Sequence, residues 1–451
     1  MRRNRRRPKS RERGQGRKTD TKKMAGVWTA LLESCVGVFH CPSLPLFVQL
    51  ASAWVLCPAR HTVTRMTEAI DRAQCRPHDA YHRFLRAGSW LLAELWAVLA
   101  SALVATLAAQ GVLPLVLDDT LLHKSGRRVN GAGSFRDAVR STSARVVYAW
   151  GLNLVVLGLR VTPPWGGEPL ALPLNVRLHR KGGRTMIDLA EDMIREVAGW
   201  FPERRFALCA DGAYATLAGR DLPRTQVTSR MRRDAALFEP PPPRRPGRRG
   251  RPAKRGRRLP TPETMARRQK KGWALSTVDI RGRSEKRLRW SRPVLWYGVC
   301  PDHRVRLVVV RDPDAKEHDD FFFTTDLKAT PHAVVSQYAG RWSIEDTFRN
   351  DKQFLGAEDP QCWQGEGPER AGALSFWIYS AVWLCYITTC GDAITWTQQP
   401  WYPTKRAPSF SDALAVLRRS LWRSRIFSTS HSPRHTAKII DTLIDALARA
   451  A

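Results

Sequence analysis

The stretch VVSQYAGRWSIEDTFRNDKQFLG, Val334 to Gly356, decides how the rest of the chain reads. It follows Pro331, holds no further proline and ends on a glycine, so one continuous helix is expected. At about 100° per residue, Tyr338, Arg341, Glu345 and Lys352 share a polar stripe about 60° wide and about 21 Å long. Ile344, Phe348 and Leu355 make an apolar stripe directly beside it. An ordinary amphipathic helix with a charged edge is the alternative. Against it, the polar stripe abuts the apolar one instead of opposing it, and it mixes an acid, two bases and a phenol. One stripe then packs on a sheet while the other borders a site.

A site of that kind needs partners upstream, and two segments offer them. VLPLVLDDT, Val112 to Thr120, is an apolar run that ends in Asp118 and Asp119. A buried strand carrying unpaired acids is costly. Metal coordination resolves that cost; salt bridging or exposure at the strand end is the alternative. LLHKSGRRVNGAGS, basic and glycine-rich, reads as a loop. VVYAWGLNLVVLGLRV and LALPLNVRLH give two or three strands, and Thr185 to Trp200 has helical spacing. RRFALCADGAYA returns to a strand that again ends in an acid, Asp211. Cys209 beside it reads as core, since no base lies nearby in sequence. PRTQVTSRMR is a further strand.

The spacing Y-x2-R-x3-E-x6-K in the helix resembles the signature of DDE transposases from bacterial insertion sequences. LDDT resembles that family's first-aspartate motif and ADGAY its second. The similarity runs roughly from Gly111 to Cys390. It implies an α/β fold: an RNase H-like catalytic core interrupted by a mainly β insertion, with a helical N-terminal domain. It implies that Asp119, Asp211 and Glu345 are the catalytic metal ligands, holding two Mg²⁺ or Mn²⁺ ions. Asp119 best matches the first aspartate; the sequence does not separate its role from that of Asp118. Carboxylates suit such ions, which prefer hard oxygens, and a metal-activated water or 3′-hydroxyl needs no protein nucleophile. Tyr338, Arg341 and Lys352 are implied to contact the DNA backbone, so losing either base should weaken DNA binding and spare the fold. The implied function is binding of terminal inverted repeats and cut-and-paste transposition by a homodimer on double-stranded DNA. A metal-dependent nuclease of the same fold, or a catalytically inactive transposase-derived binder, are the alternatives.

Composition points to the same partner. The 451 residues carry a formal charge of +33, with a pI near 10.8. Such an excess calls for a polyanion, because Lys and Arg displace condensed counterions from nucleic acid. Acidic membrane is the rival, but no lipidation signal is present. Leu91–Gln110 and Ala371–Cys390 are apolar enough to question, and both read as buried helices. Nine scattered cysteines without a Cys-x2-Cys pair read as reduced thiols. A cytoplasmic, nucleoid-associated bacterial protein is expected.

The expected organisation is a disordered basic tail over 1–23, with twelve Lys or Arg against two acids. A helical DNA-binding domain follows over 24–110. In it, Arg60, His61 and Arg65 resemble a helix-turn-helix approach to DNA, and a plain helical bundle is the alternative. The core occupies 111–231 and 316–395, with a basic linker and β insertion over 232–315 and a helical region over 396–451. The linker run RRPGRRGRPAKRGRR has nine bases and no acid. Arg249-Gly250-Arg251-Pro252, with Lys254 close by, resembles an AT-hook that fits a narrow minor groove; a plain basic linker is the alternative. Trp273, Trp290 and Trp296 pack a sheet or wedge into an unstacked base pair.

Overall fold

The computed structural model describes residues 16–429 except 71–74, 143, 244–250, 281–282, 391–395, 397 and 399, together with 440–441, 443–444 and 447–448. The basic tail up to residue 15 and the Arg249-Gly250 half of the AT-hook-like run lie outside them.

Five helices come first: α1 (Gly16–Glu33), α2 (Ser43–Leu56), α3 (Val63–Glu68), α4 (His78–Ala87) and α5 (Leu92–Leu107). Then come β1 (Leu113–His123), β2 (Gly133–Arg136), β3 (Tyr148–Val161), β4 (Leu170–His179), α6 (Met186–Trp200), β5 (Phe206–Ala210) and β6 (Thr225–Arg230). They are followed by α7 (Pro262–Arg268), β7 (Ala274–Ile280), β8 (Arg283–Val294), β9 (Val305–Arg311), β10 (Asp320–Thr324), α8 (Pro331–Ala339), α9 (Ser343–Phe354), α10 (Gly367–Cys390) and α11 (Phe410–Thr429).

The strands make one mixed sheet, in the order β2-β3-β1-β5-β6-β10-β9-β8-β7 with β4 also on β3. β1 runs antiparallel to β3 and parallel to β5, and β5 is parallel to β6. The middles of β3 and β4 are buried on both faces, as strands covered by helices on each side must be. Helix α6 packs on one face, and α9 and α10 on the other. The β insertion is not a separate module. Its strands continue the core sheet by antiparallel pairing from β10 outward. Trp273 and Trp290 lie 6.5 Å apart, and Trp296 meets Phe323 edge-on at 5.2 Å. These three tryptophans pack the sheet.

The N-terminal helices do not stand apart from the core either. α10 is apolar around its whole circumference and buries nearly every residue. A helix of that kind needs cover on all sides. The sheet supplies one side; α1, α4, α5 and α11 supply the others. Trp28, Trp54, Trp96 and Trp377 are fully buried within this one layer. Thus α1, α2, α4, α5 and α11 build a shared helical wrap around α10. α10 is long and apolar enough to cross a membrane, but 89% of its apolar window is buried against protein. α1 begins at Gly16, so the helix reaches into the expected tail; its Met24, Trp28 and Leu32 anchor it.

The helix-turn-helix resemblance also resolves into packing. α3 has only six residues. His61 is buried and its backbone N–H donates to Asp359 at 2.9 Å, while Arg60 lies 3.5 Å from the same carboxylate. Trp54 Nε1 donates to the Leu355 carbonyl at 2.7 Å. This segment therefore seats the end of α9.

The organising stretch is not one helix. α8 and α9 are separated by a 3-10 turn over Gly340–Trp342. The cause is Arg160 on β3, which donates to the carbonyls of Ser336 and Gln337 at 3.4 and 3.3 Å. A Cβ at residue 340 would lie 2.2 Å from its guanidinium. Glycine admits the side chain, and the inserted group interrupts the ladder. α9 then stops at Gly356, which has φ +54°.

One buried acid on α9 supplies a stability test. Asp351 is fully buried; Oδ2 accepts from Ser375 at 2.9 Å and Oδ1 has no partner among the described residues. Burial pushes its carboxyl from 3.8 up to about 8. The folded state thus keeps a proton that the unfolded chain releases, and its contribution to stability, full at low pH, declines as pH rises from about 4 to about 8. Asp351→Asn is neutral throughout. It should gain on the wild type by about 1.4 kcal/mol per pH unit inside that window. Denaturant unfolding at about pH 5 and pH 7 checks this, and an unchanged difference between the two proteins would refute it.

Candidate active site

Register places the first two acids. Leu117 pairs with Ala210 across the parallel strands, so Asp118 stands level with Asp211. Successive strand residues face opposite sides. Cys209, the partner of Val116, clusters with Val334, Val335 and Tyr338 of α8. Asp118 therefore shares the face covered by α8 and α9. Asp211 does too: the Tyr338 hydroxyl lies 3.4 Å from its Oδ1. Asp119 points to the opposite face, towards α6, where the buried Tyr214 hydroxyl donates to its Oδ1 at 3.0 Å. The aspartate that best matched the resemblance is thus the one the strand turns away. β1 also runs on to His123, beyond the end expected at the acids.

Glu345 lies in the first turn of α9. Arg341 links it to the strand acids. One guanidinium nitrogen is paired with Asp118, and the other is 3.6 Å from Glu345. Arg341 is 4% exposed, with its charge over the rings of Tyr338 and Trp342 at 5.3 and 5.2 Å. Lys352, further along, donates to the Leu121 carbonyl at 2.7 Å and lies 3.8 Å from Glu358. Tyr338, Arg341 and Lys352 of the polar stripe therefore turn towards the sheet, while Glu345 stays exposed. Arg251 and Lys254 are exposed on the insertion side, and Lys254 lines a cleft of about 860 Å³ with Tyr297, His303 and Arg304.

Burial pushes Asp118 up to about 7 despite Arg341, with Asp119 adding repulsion. Asp119 is also raised by burial, against hydrogen bonds from Tyr214 and Asn153. Burial lifts the Tyr338 phenol to about 12. Arg341 is pulled down by burial but held above its ordinary value by Asp118.

The donors suit a hard divalent ion: Asp118, Asp211 and Glu345 offer only carboxylate oxygens. At Asp118, burial together with the repulsion of Asp119 and Asp211 opposes the charged form, which such an ion would favour. At present the guanidinium of Arg341 fills that role, between Asp118 and Glu345. Among the described residues no group of three or more His, Cys, Asp or Glu is drawn together around one point.

The strand acids Asp118 and Asp211 and the helix acid Glu345 thus lie to one side of the sheet of a strongly basic chain. The family model of the DDE superfamily endonucleases matches residues 46–287. That is more than half of the chain, which belongs to this family. The matched span contains Asp118, Asp119 and Asp211 and ends before Glu345. No curated protein matches the chain.

Three contributors escaped the sequence reading. Tyr214 lay in plain view within ADGAY. Arg160, a lone base in an apolar strand, breaks the α8–α9 helix. His123 has ring nitrogens 2.9 Å from both Glu358 and Asp137, clamping the loop after α9 to the end of β1. Only their long-range contacts reveal the last two.

Proposed function

We propose that this endonuclease is an insertion-sequence transposase with an RNase H-like core, which binds terminal inverted repeats and carries out DNA strand cleavage and strand transfer. The supporting observation is the placement of Asp118 level with Asp211, on the face where Arg341 joins Asp118 to Glu345. Asp118 takes the ligand role that the resemblance gave to Asp119, together with Asp211 and Glu345. Mg²⁺ or Mn²⁺, as two ions, would supply activation of the attacking hydroxyl and neutralisation of the leaving oxygen. The carboxylates hold and orient; Tyr338 fixes Asp211 by hydrogen bonding. Arg341, once released from Asp118, offers a two-pronged donor for a phosphate. The basic insertion segment with Arg249, Arg251 and Lys254 follows the duplex backbone; Lys352, like Arg341, reaches a phosphate only on release from its partners, the Leu121 carbonyl and Glu358.

The proposed partners are transposon ends and target DNA, engaged by a homodimer, with no membrane role, in the bacterial cytoplasm at the nucleoid. The experiment is a Mg²⁺- or Mn²⁺-dependent cleavage assay on DNA carrying the repeats that flank the gene. Cleavage of any DNA without preference for those ends would favour a plain nuclease. Affinity should fall about tenfold or more on raising salt from low to physiological levels, and removing 1–23 should flatten that dependence. A salt-insensitive isotherm would reject the electrostatic footing.

A further inference from the structure

Two neighbouring aspartates on one strand point to opposite faces, and only one of them meets the carboxylate face. The other is still far from idle. Asp119 is reached by the hydroxyl of Tyr214 at 3.0 Å and by the Asn153 side chain. Asn153 is itself buried and contacts Met186 of α6 at 3.3 Å. Tyr214 is 1% exposed and sits three residues after Asp211, in the 3-10 segment Gly212–Gly219. Its backbone N–H donates to the Asp211 carbonyl at 2.9 Å, and the Ser229 hydroxyl donates to that same carbonyl at 2.9 Å. One residue thus grips Asp211 through its main chain and β1 through its phenol.

We infer that Asp119 is a positioning residue, which acts through Tyr214 to hold Asp211 level with Asp118. The inference rests on the proposed metal-dependent reading. β1 and β5 are hydrogen-bonded only as far as Leu117 and Ala210. Asp211 lies one residue past that pairing, where β1 no longer fixes it. The Tyr214–Asp119 bond closes that gap from the far face. An acceptor is what the phenol requires there, and a neutral carbonyl oxygen serves as well as a carboxylate. A ligand role, by contrast, would need the charge. This difference separates the two readings of Asp119.

The test is Mn²⁺ binding by the full chain, read from the electron paramagnetic resonance signal of the free ion. The variants are D119N, D119A, Y214F, D119A/Y214F, D118N and E345Q, with circular dichroism to confirm folding. Expected results are roughly tenfold weaker Mn²⁺ binding in D119A and Y214F, the scale of one lost buried hydrogen bond. The double variant should be no weaker than the worse single, because both remove the same bond. D119N should recover most of what D119A loses, since Asn keeps the acceptor. If D119N loses Mn²⁺ as fully as D118N does, Asp119 is a ligand and the inference falls. If Y214F, which stays close to isosteric, binds as the wild type does, the phenol positions nothing and the inference falls alone. If D118N and E345Q bind Mn²⁺ undiminished, the metal-dependent reading fails, and the inference with it.

Discussion

Asp118→Asn is expected to lower metal-dependent cleavage of end-bearing DNA by on the order of 10³-fold, the scale of removing one preorganised electrostatic group. DNA affinity should stay close to that of the wild type. Asp211→Asn and Glu345→Gln should behave alike, because each keeps shape and loses one charge from the same face. The argument is one of register: Leu117 pairs with Ala210, which puts Asp118 and Asp211 side by side. Arg341 then spans from Asp118 to Glu345. Asp119→Asn supplies the contrast on the same strand, since its carboxylate lies on the α6 side with Tyr214. Cleavage and gel-shift assays on one DNA substrate decide the matter. Full activity in Asp118→Asn, with loss in Asp119→Asn, would reverse the assignment of the two faces.

That assignment shows how far a sequence carries. Alternation says that adjacent strand residues diverge, so the sequence already required Asp118 and Asp119 to differ. Which one faces the site depends on the partner across β5 and on the helix above it, and neither is local information. The helix motif was readable because its apolar and polar stripes follow a fixed period; Ile344 and Leu355 are indeed fully buried. Its break at Gly340 was not readable, since the cause is Arg160, some 180 residues earlier. The strands of the core could be found from their apolar runs. That the inserted strands would continue the same sheet could not, because edge pairing leaves no mark in strand composition. The basic excess indicated a polyanion without indicating which face meets it. The helical wrap was read as two end domains because amphipathic spacing shows that a face is buried, and not against what. α10 is the missing partner in both cases.

Arg341→Gln should destabilise the metal-free protein by about 3–5 kcal/mol, the cost of breaking a buried ion pair and leaving one charge uncompensated. The resemblance implied a phosphate-binding base, and its place on the polar stripe a loss that would spare the fold. Its surroundings argue otherwise: Arg341 is 4% exposed and paired with Asp118. Asp118 is already pushed up to about 7 by burial with the guanidinium in place. Removing that guanidinium leaves the carboxylate to take a proton or bear the repulsion of Asp119 and Asp211. Arg341→Lys should fall between the two, since a point charge cannot reach Asp118 and Glu345 in one geometry. A divalent ion bound at the same acids would replace the lost positive charge. Mg²⁺ or Mn²⁺ should therefore raise the melting temperature of Arg341→Gln by more than it raises that of the wild type, where the ion has Arg341 to displace. Thermal melts with and without the ion measure both effects. A variant as stable as the wild type would mean that Asp118 does not depend on Arg341 for its charge. An equal response to the ion in both proteins would mean that guanidinium and metal do not compete for the same carboxylates.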